Sequence, residues 1–130
     1  MKLMNIIIIS LMLLCNSCDN DKKDDFSTNP FIGKWELKSI IGGFSPIEIF
    51  QENEILWTFN TDESLEIKIN KELSNVSKLP TKVDTTLSYS YDTINISIGT
   101  NKFEYKLEGK TLKLYDNLAS DGIMLELEKK

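Results

Sequence analysis

From Phe31 onward the chain alternates in twos. Trp35, Leu37, Ser39 and Ile41 alternate with Lys34, Glu36, Lys38 and Ile40. Ile55, Trp57 and Phe59 alternate with Leu56, Thr58 and Asn60, and Leu65, Ile67 and Ile69 with Glu66, Lys68 and Asn70. The same pattern recurs through Leu87, Tyr89 and Tyr91, through Ile94, Ile96 and Ile98, and through Phe103, Tyr105 and Leu107. It returns in Leu112 and Leu114 and in Ile123, Leu125 and Leu127. Successive side chains of a strand point to opposite faces, so each run predicts a strand with one apolar and one mostly polar face. The residues between the runs are turn formers: Asn60 to Ser64, Asp92-Thr93, Gly99-Thr100-Asn101, Glu108-Gly109-Lys110 and Asp121-Gly122. Such short links join antiparallel neighbours, because parallel pairing needs a long crossover. Residues 47–53 read as a short strand or a helical turn, and residues 71–84, with Pro80, as a longer loop. Eight antiparallel strands in chain order predict an all-β, up-and-down barrel, whose closure removes exposed edges. A two-sheet sandwich fits the same pattern.

The ends follow other rules. Residues 1–17 carry one early charge, Lys2, and then the apolar run from Ile6 to Cys15. That run is about half the roughly 20 residues a membrane-spanning helix needs, so it reads as a cleaved export signal. The stretch Leu14-Cys15-Asn16-Ser17-Cys18-Asp19 resembles the end of a bacterial lipoprotein signal, in which a Cys after a small residue is lipidated and becomes residue one. Cys18, after Ser17, fits that place; Cys15, after bulky Leu14, fits it badly. Residues 18–30 then form a lipidated Cys and a polar, acidic tether with too little apolar surface to order itself. The folded domain is expected over 31–130.

Charge narrows the function. The 130 residues hold 15 basic side chains, all Lys, against 20 acidic ones, for a net charge of -5; there is no Arg and no His. Cleavage before Cys18 removes Lys2 and makes the net charge more negative by one. Without His there is no Ser-His or Cys-His nucleophile pair, and an acidic chain without Arg is a poor nucleic-acid binder. An enzyme is therefore not expected, and neither is a cofactor, a metal site or a nucleic-acid partner. With Cys18 lipidated the mature chain also has no free thiol and no disulfide, so the domain must stand on its packing.

The run Gly33-Lys34-Trp35 resembles the Gly-x-Trp at the start of lipocalins. Together with Leu56-Trp57-Thr58-Phe59-Asn60, Phe103-Glu104-Tyr105-Lys106-Leu107 and Lys110-Thr111-Leu112-Lys113-Leu114, it is similar to the small lipocalin-like domains of Bacteroidota-type lipoproteins. The resemblance implies a barrel closed at one end by Trp35 and attached to the membrane through Cys18. The acidic stretch after Cys18 resembles an inner-membrane retention signal of enteric bacteria or a surface-export signal of Bacteroidota-type lipoproteins; the low Arg and high Ile, Lys and Asn usage suits an AT-rich genome and favours the second, with an outer-membrane location. Lipocalins place an Arg from the last strand against that Trp; here Lys129 is the candidate. The domain is shorter than a typical lipocalin.

Eight strands enclose a space that side chains fill or one small ligand occupies. Exposing about six large apolar side chains to a wet lumen would cost roughly 9–18 kcal/mol. A domain nets only about 5–15 kcal/mol, so a large empty cup is not expected. If a small pocket for a hydrophobic ligand exists, Trp35, Trp57, Tyr89, Tyr91 and Tyr105 are its expected lining, with the tyrosine hydroxyls orienting the ligand. The alternative is a filled barrel that works through its loops as an envelope-assembly subunit or an inhibitor of an exported enzyme. Phe44-Ser45-Pro46-Ile47 is a candidate docking loop or a plug of the barrel end. The acidic residues Glu48, Glu52, Glu54, Asp62, Glu63 and Glu66 read as a solvated face without a calcium-loop motif. Asp84-Thr85-Thr86 and Asp92-Thr93-Ile94 resemble short O-glycosylation sites of exported Bacteroidota proteins, at Thr85 and Thr93. A monomer is expected.

Overall fold

The computed structural model describes residues 28–43, 46–73, 78–116 and 121–130. The signal, Cys18, most of the tether, Phe44-Ser45 and residues 74–77 and 117–120 lie outside the described residues.

Among the described residues the chain is all β. The strands are β1 (Gly33–Gly42), β2 (Glu48–Ile49), β3 (Ile55–Phe59), β4 (Ser64–Ile69), β5 (Thr85–Tyr91), β6 (Asn95–Ile98), β7 (Asn101–Glu108), β8 (Thr111–Asp116) and β9 (Ile123–Lys129). From β3 to β9 each pairs antiparallel with the next, and β1 pairs with both β3 and β9. The result is a closed eight-stranded up-and-down barrel, with β2 as a ninth, two-residue strand on β1. Closure runs from Trp35 opposite Lys129 to Gly42 opposite Ile123, and this long pairing leaves neither sheet edge bare.

One edge of β1 is shared. Gly33 to Glu36 pair with β3, and Ser39 and Ile40 pair with β2. Between them the chain leaves the wall at Phe50, whose N–H still donates to the Lys38 carbonyl at 2.9 Å, and returns at Ile55. Asn53, at the crest of this excursion, has φ of +63°, a conformation that Asn tolerates better than most residues.

β1 corrects the simple alternation. Its register against β9 shifts between Leu37 and Ser39, so Lys38 is an extra residue, a β-bulge. The bulge reverses the phase of everything after it. Trp35 and Leu37 face the core as expected, but beyond the bulge Ile40 is the buried residue, while Ser39 and Ile41 are only half-buried. Ile94 is a second correction: β6 begins at Asn95, and Ile94 stands 60% exposed in the turn before it.

The interior is solid. Phe31, Trp35, Leu37, Ile55, Trp57, Leu65, Ile96, Ile98, Leu112, Leu114, Leu125 and Leu127 each have zero exposure. A side chain with zero exposure has no water-sized void against it, so these residues pack on one another rather than around an empty lumen.

Candidate functional site

Three places could carry function: the aromatic cluster at the start of β1, the ion cluster on the outer wall, and the opposite end of the barrel.

The aromatic cluster closes one end. Phe31 precedes β1 yet is fully buried. Its ring lies 5.7 Å from Phe59 and makes edge contacts at 5.0 Å with both Tyr91 and Tyr105. Phe59 in turn stands edge-on to Tyr89 at 4.9 Å and 6.3 Å from Trp57. The segment leading to Phe31 is fixed as well. The amide of Asn29 donates to the Tyr89 hydroxyl at 2.6 Å, the Tyr89 hydroxyl donates to the Asn60 carbonyl at 3.0 Å, and the N–H of Phe31 donates to the Asn29 side chain at 3.0 Å. Asn29, at the end of the stretch read as tether, is thus held against the barrel.

All five expected pocket residues lie in or beside this cluster, but the Phe31 ring packs there against Tyr91 and Tyr105. Trp35 is buried and lies beneath Lys129, whose ammonium is 5.2 Å from the ring centroid, so Lys129 takes the place the resemblance gives to an Arg. Tyr89 is buried with both hydrogen bonds made within the protein, and burial pushes its phenol upward in pKa. Tyr105 is half-buried and donates to the Asp92 carbonyl at 2.9 Å. Tyr91 is 43% exposed, with its ring against Phe31 at the rim. Trp57 differs from the rest: its indole N–H is buried and has no hydrogen-bond partner among the described residues.

The ion cluster centres on Glu36. The alternation places it on the outer face, yet it is only 5% exposed. Its carboxylate meets the ammonium of Lys130 at 2.7 Å, that of Lys38 at 2.8 Å and the N–H of Asn53 at 3.1 Å. Lys130 also donates to the Asn53 side chain at 2.6 Å. The hydrogen bond from Lys130, followed by that from Lys38, holds the Glu36 carboxyl down at about 2, against the smaller opposing effect of burial. The site joins β1, the excursion before β3 and the last residue. No local pattern marks it in the sequence, because its partners are far apart along the chain. The contacts tie distant parts of the chain together as a clasp.

Several other acidic residues serve turns or pair with neighbours near them. Asp62 accepts from the backbone and hydroxyl of Ser64, Glu54 accepts from the N–H of Gln51 and pairs with Lys71, and Glu66 accepts from Asn60. Asp84 caps the N–H of Ile69 at 2.7 Å. Thr85 is half-buried in β5, and Thr93 is exposed in the turn before β6.

The opposite end carries the exposed apolar residues Ile47, Ile49 and Val83. A shallow groove of about 560 Å³ runs beside Val83, with Ile69 and Leu73 at its floor and Lys71 and Lys82 at its rim.

No family model and no curated protein matches the chain. Among solved structures it is similar to an uncharacterized protein from Bacteroides eggerthii DSM 20697, with a TM-score of 0.54 and 12% identity over 77% of this chain and 99% of that one. At that identity the likeness shows the fold alone.

Proposed function

We propose that the chain is an envelope lipoprotein, held at the outer membrane by an acyl group on Cys18, whose lipocalin-like barrel is a rigid protein-interaction module. Its role is that of an envelope-assembly subunit or an inhibitor of an exported enzyme. The observation that carries this reading is the filled interior: the central side chains have zero exposure, and the hydroxyls that would orient a ligand, those of Tyr89 and Tyr105, are spent on Asn29, Asn60 and Asp92. A barrel without a lumen offers its surface, and Ile47, Ile49 and Val83 are apolar residues left in water at the end opposite the Phe31 plug.

One observation favours the second reading, a small hydrophobic ligand: the indole N–H of Trp57, without a partner among the described residues, which a ligand acceptor would satisfy. Native mass spectrometry of the full protein from its original host separates the two. A bare mass is the expected result. A reproducible added mass that is lost on unfolding overturns the filled-barrel reading in favour of the ligand. A photocrosslinking residue at position 83 then tests the partner: one discrete exported protein captured in cells supports the interaction module, and no adduct at this end counts against it.

A further inference from the structure

The chain enters the barrel at the plugged end. Asn29 is fastened to the Tyr89 hydroxyl, which itself bonds the Asn60 carbonyl, so the described chain begins at the end of the barrel that carries the β3–β4 and β5–β6 turns. If Cys18 is lipidated, ten residues separate it from Asn29. Ten residues reach at most about 33 Å. The plugged end therefore stays within a short reach of the lipid surface.

The β5–β6 turn carries unusual side chains. Ile94 is 60% exposed and Tyr91 43% exposed, whereas the neighbouring turns at this end, Asn60 to Glu63 and Gly109-Lys110, are polar. The single charge within the turn is folded back on it: Asp92 accepts the N–H groups of Ile94 and Asn95, both at 2.7 Å. Tyr105 pins the Asp92 carbonyl from behind. The tip thus presents an apolar branch and an amphipathic ring, with the N–H groups of Asp92, Ile94 and Asn95 already paired. Tyrosine is favoured at a membrane interface because one end of its ring is apolar and the other polar.

We propose that the plugged end rests on a lipid surface, with Ile94 and Tyr91 of the β5–β6 turn seated among the head groups, so that the opposite end points away from the membrane. This rests on the lipidation of Cys18, and it adds an orientation to that reading. The arrangement sends the Ile47, Ile49 and Val83 end outward.

The test uses the full lipidated protein in vesicles of phosphatidylethanolamine and phosphatidylglycerol. Thr93→Cys and, at the opposite end of the barrel, Thr100→Cys are each labelled with an environment-sensitive dye, and nitroxide-bearing lipid serves as quencher. Both positions are exposed turn residues. Mass analysis of the N-terminal peptide and vesicle flotation are measured on the same samples. The expected result is quenching at 93 at least twofold stronger than at 100, falling to the level of 100 when Ile94→Asp is added. Equal quenching at the two positions in an acylated, floating protein overturns the orientation and leaves the lipidation reading standing. A chain that is neither acylated nor floated overturns both. Energy transfer between labelled copies in place of lipid quenching would seat a second copy on the turn and overturn the proposal.

Discussion

The indole N–H of Trp35 donates to the carbonyl oxygen of Phe31 at 2.6 Å, with both groups buried. This bond ties a residue before the first strand to the first strand's own tryptophan. It turns the entering chain inward, so that the Phe31 ring drops among Phe59, Tyr91 and Tyr105. Phe31→Ala removes the plug and opens a cavity lined by those rings. The expected loss is about 3–5 kcal/mol of unfolding free energy. Urea denaturation followed by tryptophan fluorescence checks it, and a loss below 1 kcal/mol would mean that the ring packs on the barrel without supporting it.

Tyr89→Phe keeps the ring and removes the hydroxyl. The Asn60 carbonyl and the Asn29 amide then lose their partner, at a cost of about 1–3 kcal/mol. Hydrogen exchange should quicken in residues 29–31 and in the turn at 60–63, while the β8–β9 pairing remains protected. Uniform loosening of the whole barrel would contradict a local role.

Glu36 makes stability depend on acid. Its carboxyl falls from an ordinary 4.5 to about 2 in the folded protein, chiefly through the hydrogen bond from Lys130. A lowered folded value means that the unfolded chain binds the proton more readily. The clasp contributes fully above about pH 4.5, and its contribution is lost as pH falls toward 2. Glu36→Gln should therefore flatten the stability profile between pH 5 and 2, and should lower stability at pH 7 by about 1–3 kcal/mol, a range held down by the partial exposure of both lysines. Comparing the variant with the parent cancels the acid sensitivity of the turn carboxylates. Parallel profiles would show that the clasp does not set it.

Gly42→Ala tests closure of the barrel. Gly42 has φ of +105°, and a Cβ placed there would lie 2.7 Å from the Gly122 carbonyl on the neighbouring chain. Backbone strain alone costs about 1–3 kcal/mol, and the clash must also push apart the last pair between β1 and β9. A denaturation midpoint equal to the parent's would refute the tightness of this corner.

Much of the fold is legible in the chain. Trp57 and Phe59, Leu65 and Ile67, Ile96 and Ile98, and Leu125 and Leu127 lie in the core as their alternation predicts, because a period of two fixes the face of each residue once a strand is granted. Lys38 shows where that logic stops. A bulge adds a residue without a mark in composition, and beyond it Ile40 exchanges places with Ser39 and Ile41. The plug was hidden for another reason: Phe31 lies next to a polar stretch, and only its landing among three rings from distant strands makes it core. Glu36 reads locally as a surface residue. What buries it is Lys130, which no window of neighbouring residues contains.

The pairing of β1 with β9 has a consequence for the order of assembly. On its closing edge β1 finds its partners in Ile123 to Lys129, a stretch synthesised long after it, with every other strand between them. Neighbouring hairpins can zip as they emerge, but the ring stays open until that stretch arrives, and contacts of such sequence separation are slow to form. Until then the two unmet margins offer themselves to any other extended chain. A ribosome or translocation channel that still holds β9 therefore holds the barrel open, whatever has already folded ahead of it.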